Sequence, residues 1–133
     1  MAAIKYTLSK DTSKRAPSIE AEAEWLTREG SLWYELNVEP GELRPGDLVY
    51  FIRAGEMVAR ARITDCTWKD ASEMVGSYTG VETKTSCNRF EIREMELAKR
   101  SIPHKGFQGF RYVTAKELPA FERAFRIHGR SRT

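Results

Sequence analysis

Apolar and polar residues alternate along much of this chain at strand spacing, and only two stretches carry the spacing of an amphipathic helix. Ile4-Lys5-Tyr6-Thr7-Leu8 alternates and predicts a short first strand. Ser9 to Ser18 is polar, with Lys10, Lys14, Arg15 and Pro17, and predicts a surface loop. From Ile19 to about Glu29 the positions Ile19, Ala23 and Leu26 share one helical face. Ser18 is placed to cap that helix, Glu20 and Glu24 sit in its positive half, and Gly30 ends it. Ser31 to Val38, with Trp33, Tyr34 and Leu36, predicts a second strand. Turns follow at Glu39-Pro40-Gly41 and at Arg44-Pro45-Gly46-Asp47.

Leu48-Val49-Tyr50-Phe51-Ile52 is apolar on both faces, as a central strand must be. Arg53-Ala54-Gly55-Glu56 reads as a hairpin connection. In the next strand Met57, Ala59, Ala61 and Ile63 face inward, while Val58, Arg60, Arg62 and Thr64 face outward. Thr67 to Ser86 is polar and predicts a long loop holding Trp68, Met74 and Tyr78. Asp70 and Glu73 within it have capping-box spacing for a helical turn. Cys87 to Leu97 resumes strand character. Phe90 and Ile92 share one phase and Met95 and Leu97 the other, so the slip at Arg93-Glu94 predicts a β-bulge. Lys99 to Gly106 reads as a basic loop, and Phe110-Arg111-Tyr112-Val113 as a last strand. A closing helix runs through Leu118, Phe121, Ala124 and Phe125, with Thr114 and Glu117 as its cap and Pro119 blurring its start. His128 to Thr133 is expected to fray.

The elements do not alternate as βαβ units, so a doubly wound sheet is disfavoured. The pattern predicts an α+β, mostly β chain, with a small β-barrel of five to six strands and two flanking helices as one domain over residues 1–133. Its 133 residues, 41% hydrophobic and 31% charged, have a globular balance. No apolar run approaches the ~20 residues that span a bilayer, and no secretory pattern opens the chain. Two cysteines, Cys66 and Cys87, make no disulfide framework, which points to a reducing, cytoplasmic setting. No two of Cys66, Cys87, His104 and His128 have a local spacing that builds a zinc site, and no cofactor motif is present.

Leu43-Arg44-Pro45-Gly46-Asp47-Leu48-Val49-Tyr50-Phe51-Ile52, followed by the strand from Gly55 to Ile63, resembles a block found in the PUA-like superfamily, which includes EVE, ASCH and YTH domains. Leu32-Trp33-Tyr34 and Leu36-Asn37 look like the strand preceding that block in EVE and YTH domains. The Gly-x-Lys-x-x-Glu-x-Arg stretch associated with ASCH domains is absent, so the resemblance points toward an EVE-like or unassigned member. The resemblance implies a barrel that binds RNA or a modified base in DNA, with a flipped base held between aromatic side chains. Trp33 matches the position of a pocket tryptophan in YTH-like domains; its competing role is a core or barrel-mouth side chain. Trp68, in a polar stretch, is a second candidate stacking wall, and Asn37 a candidate base-edge reader unless it only closes a turn. Arg60 and Arg62 on one strand face, with Lys69 beyond, are candidate phosphate contacts or a solvated outer surface. Trp25, on the first helix, reads as packing.

The net charge of +3 permits an anionic partner. Further basic sets are Lys99, Arg100, His104, Lys105 and Arg111, and the tail with Arg123, Arg126, Arg130 and Arg132. Two other classes of function stay open. One is a ribonuclease using His104 with Lys105 or Arg100, as proposed for some ASCH proteins; the other is a protein-interaction module using the barrel as a scaffold.

Overall fold

The computed structural model describes residues 3–8, 16–36, 43–69, 87–107 and 110–126, with residues 67–69 and 87–88 as backbone only. Among these residues seven strands form one curled sheet: β1 (Ala3–Thr7), β2 (Leu32–Leu36), β3 (Leu48–Arg53), β4 (Glu56–Lys69), β5 (Cys87–Ile92), β6 (Glu96–Pro103) and β7 (Phe110–Tyr112). Two helices flank it, α1 (Ile19–Glu29) and α2 (Leu118–Arg123). The strand order is β2-β5-β4-β3-β1-β7, with β6 on β4, and β1 runs parallel to β3. This is the expected mostly-β architecture with two flanking helices; the expected small barrel is a sheet curled into a half-barrel, with one or two strands more among the described residues than the pattern predicts.

Local chemistry explains the boundaries. Ser18 Oγ accepts the Ala21 amide at 3.1 Å, and Gly30, at φ +86°, ends α1 in the left-handed conformation that glycine adopts without strain. The β3–β4 hairpin turns through Ala54 and Gly55, both at positive φ, the backbone of a tight turn matched to strand twist. At α2, Thr114 and Glu117 form a reciprocal capping box. The Glu117 amide donates to Thr114 Oγ1, and the Thr114 amide to Glu117 Oε1, each at 3.1 Å.

Three readings of the sequence change. Thr67, Trp68 and Lys69 belong to β4, where they pair with β5, rather than to a loop. Lys99 to Pro103 is strand β6, not a basic loop; it stays polar because it is largely exposed and pairs along one edge only. The slip at Arg93-Glu94 is a break in the ladder: β5 and β6 lie end to end along β4, with no pairing opposite Ala61 and Arg62. The 70–86 segment with its predicted turn, the loop at residues 9–15, the Glu39-Pro40-Gly41 turn and the 128–133 tail lie outside the described residues.

The sheet has a core on each face, so β3 is apolar on both. Inside the curl, Tyr6, Tyr34, Phe51 and Phe90 pack with ring centroids 5.2–6.4 Å apart, and α1 adds Ile19 and Leu26. On the other face, Tyr50, Ile52 and Met57 lie under Phe121, Ala124 and Phe125 of α2 and its following turn. Met57 is buried as expected, but a bulge at Val58 sends it to this second core. Where β1 and β2 face each other without a ladder, the Tyr6 hydroxyl donates to the Glu35 carbonyl at 2.7 Å.

Candidate nucleic-acid interface

Arg60 and Arg62 of β4 lie on the face that carries α2, because Arg60 pairs with Tyr50 and Tyr50 packs under α2, whereas Val58, read as outward, packs against the inner core at the bulge. Arg60 is held on three sides. Its Nε donates to Glu96 Oε1 at 2.9 Å, its guanidinium lies 4.2 Å from the Phe125 ring centroid, and the buried Tyr50 lies beneath. Burial pushes the Tyr50 phenol up, against the pull of the Arg60 charge. Arg62, two residues on, is exposed, and its Nη1 donates to the Gly46 carbonyl at 2.5 Å.

Between Arg60 and Thr64 the lapse in pairing opens a cleft of about 590 Å³. Leu48, Ala61 and Met95 make its apolar lining; Arg60, Arg62 and Arg93 bring positive charge, and Glu94 and Glu96 negative. At one end Thr64 is the extra residue of a bulge, its hydroxyl turned onto Glu91 Oε1 at 2.7 Å. Arg93 Nε binds the same Glu91 oxygen at 3.2 Å and leaves the rest of its guanidinium in solvent.

Trp33 is half-buried and faces outward, since its neighbours Leu32 and Tyr34 enter the inner core. The Arg89 guanidinium covers one face of its indole at 4.3 Å from the ring centroid. Trp33 pairs with Glu91, which pairs with Asp65, so it stands two strand spacings, about 10 Å, from β4. The structure thus places Trp33, Arg60 and Arg62 on one outer surface, with Trp33 outside the cleft. Asn37 and the side chains of Trp68 and Lys69 lie outside the described residues. Arg89 and Arg93 escaped the sequence reading; alternation along β5 puts Arg89 on Trp33's face, but nothing local marks Arg93.

His104 does not share a site with Lys105 or Arg100. Its ring turns inward, with Nδ1 2.7 Å from the Lys105 carbonyl and Nε2 2.9 Å from Lys5 Nζ. Nδ1–H donates to that carbonyl, and Nε2 also lies 3.2 Å from Glu117 Oε2, so Lys5, His104 and Glu117 meet in one polar cluster. Lys5 also donates to Glu117 Oε2 at 2.6 Å. Burial opposes ionisation of Glu117, but Lys5, the Thr114 amide and His104 outweigh it and hold the carboxyl at about 2. With both ring nitrogens engaged, His104 has none left for a phosphodiester. The Cys66 thiol, pushed up to about 11 by burial and by Asp65 and Asp47, is no nucleophile at neutral pH. No three His, Cys, Asp or Glu side chains cluster as metal ligands would, and no helix is long and apolar enough to cross a membrane, both among the described residues.

No protein-family model and no curated protein matches the chain. Solved structures do. The ASCH protein of Zymomonas mobilis superimposes with a TM-score of 0.64 at 10% identity, over 91% of this chain and 94% of that one. A tyrosine-to-phenylalanine variant of the same protein gives 0.65 at 10% identity, over 91% and 96%. Together with the curled sheet and its two flanking helices, this similarity gives the chain the fold of that ASCH protein.

Proposed function

We propose that the chain is a nucleic-acid-binding module that takes a single strand, or an extruded base of RNA or of DNA carrying a modified base, across the outer surface of β2, β5 and β4. The observation that carries this reading is the alignment of Arg60 and Arg62 beside an open cleft, with an outward indole on the same surface. Arg60, Arg62 and Lys69 contact phosphates. Trp33 and Trp68 stack on bases, each stack contributing about 1–3 kcal/mol, and Asn37 reads a base edge. Arg60 and Arg62, as alternate residues of one strand, stand about 6.8 Å apart, a span suited to successive phosphates of an extended strand. Arg89 lies against one face of the Trp33 ring, and in this reading a base stacks on the other. A reducing, cytoplasmic setting, which keeps Cys66 a free thiol, belongs to the same proposal.

The test is a panel of labelled oligonucleotides, with and without base modifications, bound at two salt concentrations. Wild type binds at low salt. The double variant Arg60→Ala, Arg62→Ala lowers the slope of log affinity against log salt by about 1–1.5. Trp33→Ala weakens binding roughly tenfold with the slope intact. Absence of binding to every member at low salt overturns the reading.

A further inference from the structure

The cleft at the break between β5 and β6 is built unlike the surface around Trp33. Its floor is apolar, from Leu48, Ala61 and Met95, and its volume of about 590 Å³ accommodates a nucleobase with its sugar. Two of its guanidiniums are already matched by carboxylates: Arg60 by Glu96 at 2.9 Å, and Arg93 by Glu91 at 3.2 Å. Among the described residues Arg62 is bound only to a carbonyl, and it keeps its full charge toward an anion. Glu94, on the facing wall, is exposed and has no hydrogen bond or ion pair among the described residues. The cleft therefore presents an apolar bed, an uncompensated cation on one wall and an uncompensated hydrogen-bond acceptor on the other.

We infer that this cleft is a second base position of the nucleic-acid site, selective for a base with an exocyclic amino group, which Glu94 accepts while Arg62 and Arg93 hold the adjoining phosphate. The inference rests on the nucleic-acid reading above and adds to it a specificity-determining residue. The chemistry is one-sided. A carboxylate accepts from the amino group of cytosine and repels the carbonyl oxygen that uracil carries at the same ring position, so attraction and rejection act together. The base lies over Met95, a polarizable side chain that adapts to a planar face. The cleft lies across two strand spacings from Trp33 and a few residues along β4 from Asp65, the residue level with Trp33, so one strand reaches both with nucleotides a step or two apart.

The experiment is fluorescence anisotropy with labelled oligocytidine and oligouridine of eight nucleotides, as RNA and as DNA. Wild type, Glu94→Ala, Arg93→Ala and Trp33→Ala are compared at two salt concentrations. Wild type prefers cytosine roughly tenfold. Glu94→Ala brings that preference below about twofold, chiefly by losing cytosine affinity. Arg93→Ala weakens both oligomers alike and lowers the salt slope by about 0.7, and Trp33→Ala weakens both with the preference kept. Equal binding of the two oligomers by wild type, or a preference that survives Glu94→Ala, overturns the inference and leaves nucleic-acid binding standing. If no oligomer binds wild type at low salt, the nucleic-acid reading itself falls and takes the inference with it.

Discussion

At the start of α2 the Lys5 ammonium is enclosed between Glu117 and His104, its side chain 9% exposed. Just past the other end of that helix the Arg60 guanidinium lies on Phe125 with one nitrogen on Glu96, its side chain 27% exposed. The two cations stand in one cross-strand row, Arg111–Lys5–Tyr50–Arg60–Glu96, on the same face of the sheet. They differ in what surrounds them. Lys5 has been taken from water, so its partners are obligatory and its role is to hold β1, α2 and the segment after β6 together. Arg60 keeps a wet edge, so its partners orient it and leave donors available to a ligand. Burial, more than charge, separates a structural cation from one fit for recognition.

The largest expected effect tests the obligatory side of that contrast. Glu117→Ala strands a buried ammonium and lowers unfolding free energy by about 3 kcal/mol, whereas Lys5→Met leaves its carboxylate on the wetter side and costs less. Urea denaturation of the two variants measures the order; equal losses contradict it.

Acid sharpens the same point. The folded Glu117 carboxyl titrates at about 2 against an ordinary 4.5, so the folded chain binds fewer protons than the unfolded chain between those values. Its stabilisation is whole above about pH 4.5 and is lost as pH falls toward 2. With a quarter of the side chain in water, that amounts to about 1–3 kcal/mol. The stability gap between wild type and Glu117→Ala should close over this interval; a gap unchanged at pH 2.5 contradicts the assignment. The smallest effect belongs to Arg60→Lys. Charge survives but the flat stack on Phe125 does not, and the loss of about 0.5–1 kcal/mol falls near the resolution of thermal unfolding.

Where local rules act alone, the sequence was enough. Ser18 and Gly30 bound α1, the period-two run located β4, and the Arg44-to-Asp47 turn preceded the doubly apolar β3. Reading failed where the partner was distant. Lys5 and Glu117 are 112 residues apart, and no spacing rule joins them. Glu22, acidic and on a helix, is fully buried because the Tyr34 hydroxyl, from the next strand, reaches it at 2.7 Å. Strand β6 looked like a loop because its exposed residues carry no core signal. Of the candidate site, the outward faces of Arg60 and Arg62 were legible from alternation, while Trp33 entered only through the resemblance. The cleft was not, since it arises where the β5–β6 ribbon detaches from β4 and two facing stretches lose their neighbours.

Strand β1 lies between β3 and β7, parallel to one and antiparallel to the other, and its buried lysine waits for a carboxylate on α2. During synthesis this strand leaves the ribosome before either neighbour. It acquires its second edge only after β7 has emerged, and its counter-charge later still. The nascent chain therefore carries an unfinished sheet edge until β7 has been made, and an unmatched lysine until Glu117 follows it.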